Sequence, residues 1–382
     1  MEQKILLIAG FPPEGGGGGG VNLRSLIDNI SSNNLYWYSL QHDKTNKTWY
    51  RPNLKRGSIF FRLPGRRYKL IDILYIKIYH KFELFINLIL VQFIILKFKP
   101  TCLWIIIDQY SIPALFCIVK LTKLPWHITV QDDPEVSLNL SGHVISRKNL
   151  EKFEFLYKNA ESRDCTSFGM VNYYKQKYSV DSFMVSRSID LDKSESNRKR
   201  SILSGDTIKI LLGGWGNCPP PWPENLLTAL GIIESKTNKS VKLYSFDPLL
   251  VRYNSRHVVL CQKMPQDQFE KLLNQMDLGY APDPFDEKFE VFVKTSLSVK
   301  MITYISATLP CLYHGPVDSS IGEMFNRYQA GEIVNSNDPN ELANGFLKLI
   351  NNSDFYRDNS LFLAKSDFNP EIMRQKILNR FN

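Results

Sequence analysis

Ser298-Val299-Lys300-Met301-Ile302-Thr303-Tyr304-Ile305-Ser306-Ala307-Thr308-Leu309-Pro310-Cys311-Leu312 is the stretch that decides the reading of this chain. A polar loop opens directly onto a helix, the helix ends at a turn, and a short apolar strand follows. Helix N-termini present free N–H groups and a partial positive charge, so a loop carrying Thr295, Ser296, Ser298 and Lys300 suits a phosphate. Further on, Gly315-Pro316-Val317-Asp318 makes a second turn before a helix from Ser319 to Tyr328. Two strand–turn–helix units in tandem, both opening on the same edge, predict a nucleotide crevice.

Outward from that stretch, strands and helices alternate in two blocks. Lys4 to Ala9 is a continuous apolar run, as expected for a strand buried on both faces of a parallel sheet. Glycines fill positions Gly15 to Gly20 before a helix begins at Val21. Leu35–Leu40, Cys102–Asp108 and Trp126–Val130 predict further strands, with residues 41–66 a polar, basic excursion from the sheet. The segment Leu84 to Leu96 is apolar almost all round and predicts a helix buried between the sheet and its neighbours. Polar positions between Tyr68 and Phe98 interrupt that region too often for a transmembrane span. Lys193 to Ser204 is charged and serine-rich, and reads as a hinge. Beyond it Ile208–Gly214, Val241–Phe246, His257–Leu260 and Leu278–Ala281 restart the alternation. The pattern predicts an α/β chain with two doubly wound, Rossmann-like domains, residues 1–187 and 206–367, joined by a linker over 188–205.

A chain of 382 residues with 43% hydrophobic and 22% charged content has room for two cores and is not disordered. Its 6 cysteines show no C-x-x-C and no flanking histidine pairs, so reduced thiols in a cytosolic protein are the expectation and zinc is not. Met1 to Phe11 is too short for a signal-peptide core. The net charge of +9 is unevenly spread: Arg51, Lys55, Arg56, Arg62, Arg66, Arg67 and Lys69 fall in a stretch with no acid before Asp72. Such a patch is read either as solvated surface or as a contact for anionic lipid, a pyrophosphate-bearing substrate or nucleic acid. No RNP motif, zinc finger or basic zipper accompanies it, which sets nucleic acid aside.

Lys300 and the segment Tyr304 to Pro310 resemble the P-x-K-x-x-E-Y-M-A-x-G-x-P pattern of GT-B nucleotide-sugar glycosyltransferases, especially the retaining family four. Gly331-Glu332-Ile333-Val334 and Asp338-Pro339-Asn340-Glu341-Leu342-Ala343 continue the likeness, which keeps its order along nearly the whole chain. It implies a GT-B fold, with two Rossmann-like domains facing across a cleft and the last helix, within 368–382, packing back on the first. It also implies a transferase that moves a sugar from a UDP- or GDP-linked donor, as substrate rather than cofactor, to a glycan or polyprenyl-pyrophosphate-linked acceptor. The setting implied is bacterial surface polysaccharide synthesis, with retention of configuration and no metal. Together with the basic stretch Arg51–Lys69 and the aromatic region Tyr68–Tyr79, it places the protein in the cytoplasm, peripherally at the cytoplasmic membrane face.

The resemblance also nominates site residues. The glycine run, Gly18, Gly19 and Gly20 in particular, corresponds to the loop that meets donor phosphate and acceptor; read from its residues, it is either an anion nest or a floppy loop. Asp132 and Asp133 end a strand where the family often carries a His-Asp contacting sugar or acceptor, and helix capping is their structural alternative. Asp190-Leu191-Asp192 looks like a metal-binding D-x-D, but its place matches the family's interdomain linker. Gly213-Gly214 resembles the donor-phosphate turn. The family's following Arg and Lys are replaced by Cys218-Pro219-Pro220-Pro221, so the charge falls to Lys300, with Lys263 and Lys294 behind it. Lys263 and Met264 align with the segment that receives the base. Thr295, Ser296, Ser298, Val299 and Thr303 complete the donor set, with Thr295 and Thr303 standing where the family carries a Glu pair. Those two threonines motivate an alternative, a GT-B-like binding or assembly protein without catalysis.

Overall fold

The computed structural model describes residues 3–12, 20, 23–24, 26–27, 30–40, 55–58, 69–140, 142, 144–214 and 221–379. Gly18 and Gly19 lie outside them; Gly20 is helical and buried. The chain divides into two compact units. One comprises Met1–Thr166, Met170–Arg187 and Arg374–Asn382, the other Ser167–Gly169 and Ser188–Met373.

The first unit is built on β1 (Ile5–Ala9), β2 (Leu35–Ser39), β3 (Lys55–Ser58), α1 (Lys69–Phe98), β4 (Cys102–Ile107), α2 (Ile112–Thr122), β5 (Trp126–Val130), α3 (Pro134–Leu140), α4 (Arg147–Lys158), β6 (Ser162–Cys165), α5 (Phe168–Tyr178) and β7 (Phe183–Met184). Its strands form one sheet in the order β3-β2-β1-β4-β5-β6-β7, and every pair is parallel. All residues of β1 and β4 are buried, the signature of strands covered on both faces. Leu6, Ile8, Leu103, Ile105 and Ile107 share a core with residues of α1, α2 and α4.

Two expectations need correction here. Residues 55–58 are not an excursion: β3 pairs with β2 in register, Tyr36 opposite Lys55. Its sequence, Lys-Arg-Gly-Ser, lacks apolar alternation because it is an edge strand. The helix read as buried all round leaves a line of apolar side chains, Phe82 to Leu96, exposed.

The second unit holds α6 (Leu191–Arg198), β8 (Thr207–Leu212), α7 (Trp222–Thr237), β9 (Ser240–Ser245), β10 (Val258–Leu260), α8 (Gln266–Leu273), β11 (Leu278–Pro282), α9 (Glu290–Thr295), α10 (Val299–Ser306), β12 (Cys311–His314), α11 (Ser320–Tyr328), β13 (Gly331–Val334), α12 (Pro339–Asn351) and α13 (Ser353–Ser366). Helix α14 (Pro370–Leu378) begins in this unit, and its residues from Arg374 group with the first. The sheet runs β10-β9-β8-β11-β12-β13, again parallel throughout. Alternating side chains of β8 serve two cores. Ile208, Ile210 and Leu212 pack with α7 and α12, while Leu211 packs with α10, α11 and α13. Helix α6 lies inside the stretch 188–205 read as a linker, and Asp190 caps it by accepting from the Lys193 amide at 3.1 Å. The first carboxylate of the D-x-D is thereby engaged as a cap.

Candidate active site

Strand order locates the site before any side chain is considered. From β8 the chain winds outward through β9 and β10, then returns to place β11 on the other side of β8. Ligands of open α/β sheets sit at such a reversal, outside the carboxyl ends of the strands. The residues leaving those ends are Gly213 and Gly214 after β8, and Asp283 after β11. Helix α10 abuts the same place.

Tyr304 of α10 fixes the geometry. Its buried hydroxyl donates to the Leu211 carbonyl at 3.1 Å and accepts from the Gly213 amide at 2.8 Å, tying the helix to the end of β8. Burial pushes this phenol far above its ordinary pKa, so it stays protonated. Two glycines make room for it. A Cβ on Gly279 would stand 2.8 Å from the Tyr304 ring, and one on Gly213 would stand 3.0 Å from its hydroxyl.

One turn earlier, Lys300 is half-buried and its Nζ donates to the Gly214 carbonyl at 3.0 Å. A Cβ on Gly214 would lie 3.1 Å from that Nζ, so the paired glycines let the lysine cross their turn. Ser298 is the N-cap residue of α10, but its side chain makes no capping hydrogen bond. The Met301 amide turns back to the Ser298 carbonyl at 2.9 Å, and the start of the helix presents its partial positive charge beside Lys300. The second expected strand–turn–helix is different: Ser319 caps α11 by accepting from the Gly322 amide at 2.8 Å.

Asp283 was not among the residues singled out from sequence. Burial raises its carboxyl to about 6, against the hydrogen bond from Tyr313 and the positive charge of Lys300, which lower it. The Tyr313 hydroxyl donates to its Oδ2 at 3.1 Å. Nearby His314 is buried; its Nε2–H donates to the Ser336 carbonyl at 2.6 Å and its Nδ1 accepts from the Tyr280 hydroxyl at 2.8 Å. Burial lowers its pKa to about 4, so it is neutral and structural.

The remaining nominated residues divide. Thr295 is buried and its hydroxyl donates to the Val291 carbonyl at 2.7 Å. Thr303 also bonds back along its helix, to Val299 at 3.0 Å, but is half-exposed and keeps acceptor capacity. Ser296 and Val299 border the α9–α10 loop, half-exposed. Lys263 is exposed and Met264 half-exposed in the loop between β10 and α8. Lys294 is engaged with Glu290 at 2.6 Å and Asp318 at 3.0 Å.

In the first unit, Asp133 is committed to structure. Its Oδ1 accepts from the amides of Glu135 and Val136 at 3.0 and 2.9 Å, and its Oδ2 from the Tyr174 hydroxyl at 2.8 Å. The capping alternative thus accounts for it. Asp132 is exposed; crowding by surrounding protein and then the charge of Asp133 push its carboxyl up. At this sheet's own reversal, between β1 and β4, stands Asp108, also not singled out from sequence. Its Oδ1 accepts from the Tyr110 and Ser111 amides at 2.9 and 3.1 Å. Its Oδ2 is buried without a partner, against Gly10, where a Cβ would come within 1.8 Å. Burial raises this carboxyl too.

No protein-family model matches the chain, and no curated protein matches it. Solved structures do. Sucrose-phosphate synthase from Thermosynechococcus elongatus is similar over 99% of this chain and 98% of its own, with a TM-score of 0.68 at 13% identity. HepE of Anabaena, solved with UDP, covers 99% of each chain with a TM-score of 0.66 at 13% identity. A glycosyltransferase from Rickettsia africae covers 100% of this chain and 98% of its own, with a TM-score of 0.65 at 11% identity. The likeness is one of fold: the chain has the two doubly wound α/β domains of the GT-B type.

Proposed function

We propose that the second unit binds the diphosphate of a UDP- or GDP-linked sugar at the β8/β11 reversal, and that the protein transfers this sugar to an acceptor hydroxyl. The observation that carries the reading is the first turn of α10, which has no side-chain cap, with Lys300 lying across the Gly213–Gly214 turn. Arrival of a diphosphate lets the ammonium exchange a neutral carbonyl for a charged oxygen, a stronger partner. In the transfer, the bond from the anomeric carbon to the diphosphate oxygen breaks and its electron pair leaves with the diphosphate. A new bond forms to the acceptor oxygen, whose proton passes to the departing diphosphate oxygen. Lys300 and the first-turn amides of α10 stabilise the departing charge without a metal. On the first unit, Asp132 is the carboxylate offered to an acceptor. The acceptor class is a glycan or a polyprenyl-pyrophosphate-linked sugar, in cytoplasmic assembly of bacterial surface polysaccharide. Retention of configuration is part of the proposal through the family resemblance. HepE, one of the similar structures, was solved with UDP-glucose, which favours a uridine donor.

A second reading has its own support. The first of the two positions that carry a Glu pair in the resembled family is a buried, back-bonded threonine, Thr295. A binding or assembly protein without catalysis is consistent with that. A donor-hydrolysis panel separates the two: slow release of nucleotide from one donor supports the enzyme. Binding of nucleotide without turnover of any donor supports the second reading.

A further inference from the structure

Helix α1 has two faces of opposite character. Toward the sheet, Val91, Ile94 and Phe98 are buried in the core, and Asn87 accepts a hydrogen bond from the buried Tyr38 hydroxyl at 2.7 Å. On the outer face Phe82, Phe85, Ile89, Phe93 and Leu96 are exposed by 50%, 58%, 52%, 53% and 73%. Steps of three and four residues align them in one stripe, about 21 Å long at about 1.5 Å per residue. Single exposed apolar residues are ordinary, but a continuous line of phenylalanine, isoleucine and leucine is an interaction surface.

Charge selects what the stripe meets. Lys97 holds its ammonium 4.6 Å from the centroid of the Phe93 ring, and Lys99 is exposed just beyond. Helices α1 and α2 each lead into a strand of the same parallel sheet, so their C-terminal ends share one edge. Exposed Lys120, Leu121 and Lys123 stand there too. Lys55 stands there as well, its ammonium 5.3 Å from the centroid of the Phe98 ring at the end of α1. A second copy of a chain of net charge +9 would set like charges together. An anionic lipid surface complements both halves: acyl boundary for the stripe, phosphates for the lysines.

We propose that α1 seats the first unit on an anionic membrane interface, with the Phe82–Leu96 stripe in the headgroup–acyl boundary and Lys97 and Lys99 on lipid phosphates. The buried face holds the helix on the sheet, so it lies along the membrane. Among the described residues no helix is long and apolar enough to cross one. The inference needs no sugar donor and stands apart from the transferase reading.

The test is cosedimentation of the full chain with vesicles of phosphatidylcholine, alone or mixed with phosphatidylglycerol. Binding is expected to be about tenfold stronger to the mixed vesicles. The double variant Phe85→Ser/Phe93→Ser should lose about tenfold in partitioning with an unchanged melting temperature. Lys97→Glu, at an exposed position, should weaken binding to the anionic vesicles alone. No vesicle binding by the parent chain would overturn the proposal, as would equal binding by all variants. A dimer in light scattering that the serine variants dissolve, without vesicle binding, would assign the stripe to a second copy and overturn it likewise.

Discussion

The ammonium of Lys300 lies 3.0 Å from the Gly214 carbonyl oxygen, although the two residues are 86 positions apart in the chain. This contact brings a helix N-terminus, a glycine turn and a cation to the point where the strand order reverses. Lys300→Ala should weaken nucleotide-diphosphate binding by about 2 kcal/mol, some thirtyfold, since a charged hydrogen bond is lost. Calorimetry reads the affinity, and a melting temperature close to that of the parent chain shows that the fold is intact.

Tyr304 is the brace behind that lysine. Tyr304→Phe deletes the hydroxyl shared by the Leu211 carbonyl and the Gly213 amide, leaving the ends of a buried bridge unpaired. A loss of about 1–3 kcal/mol in denaturant unfolding is expected, together with weaker nucleotide binding because the Gly213 turn is released.

Asp283 gives the site a pH dependence. Its folded pKa, about 6, lies above the ordinary carboxylate value, so the folded state takes up its proton first. The group penalises folding once it is ionised: the penalty is absent below the unfolded pKa, grows as pH rises through the folded pKa, and is complete above it. Asp283→Asn should therefore stabilise the protein at pH 7 and flatten the fall in stability between about pH 4 and 6. Affinity for a nucleotide sugar, whose diphosphate does not titrate in that range, should fall in the parent chain as pH rises through about 6. It should stay level in the variant. Thermal unfolding and calorimetry across pH check both statements.

Thr308 occupies the position that is glycine in the resembled family pattern, at φ +49° with its hydroxyl buried and unpaired. A β-branched residue in the left-handed region is strained. Relief of that strain and of the orphan hydroxyl outweighs the added chain entropy of glycine. Thr308→Gly should stabilise the protein by about 1 kcal/mol, read as a melting temperature higher by about 2–4 °C.

Sequence made the buried strands legible. Ile208–Leu212 and Cys102–Ile107 are apolar at nearly every position because helices cover both faces of their sheets. The place of Lys300 was legible too, because a polar loop opening onto a helix has a local signature. Strand β3 was not legible, since an edge strand of Lys-Arg-Gly-Ser carries no core face. Nor was the exposed side of α1, because an all-apolar helix does not reveal which stripe its own sheet will cover. Asp283 and Asp108 gain their meaning from strand order, and no local pattern states that β8 neighbours β11 or that β1 neighbours β4. Nor does sequence state that the hydroxyl of Thr295, late in its helix, turns back to the preceding turn.

Isothermal calorimetry of the intact protein with UDP and with GDP at pH 7, run beside Lys300→Ala, tests the central claim most directly. Submillimolar binding of one nucleotide by the parent chain, weakened at least about tenfold in a variant that melts normally, is the predicted result. Binding of neither nucleotide, or equal binding by both proteins, would contradict it.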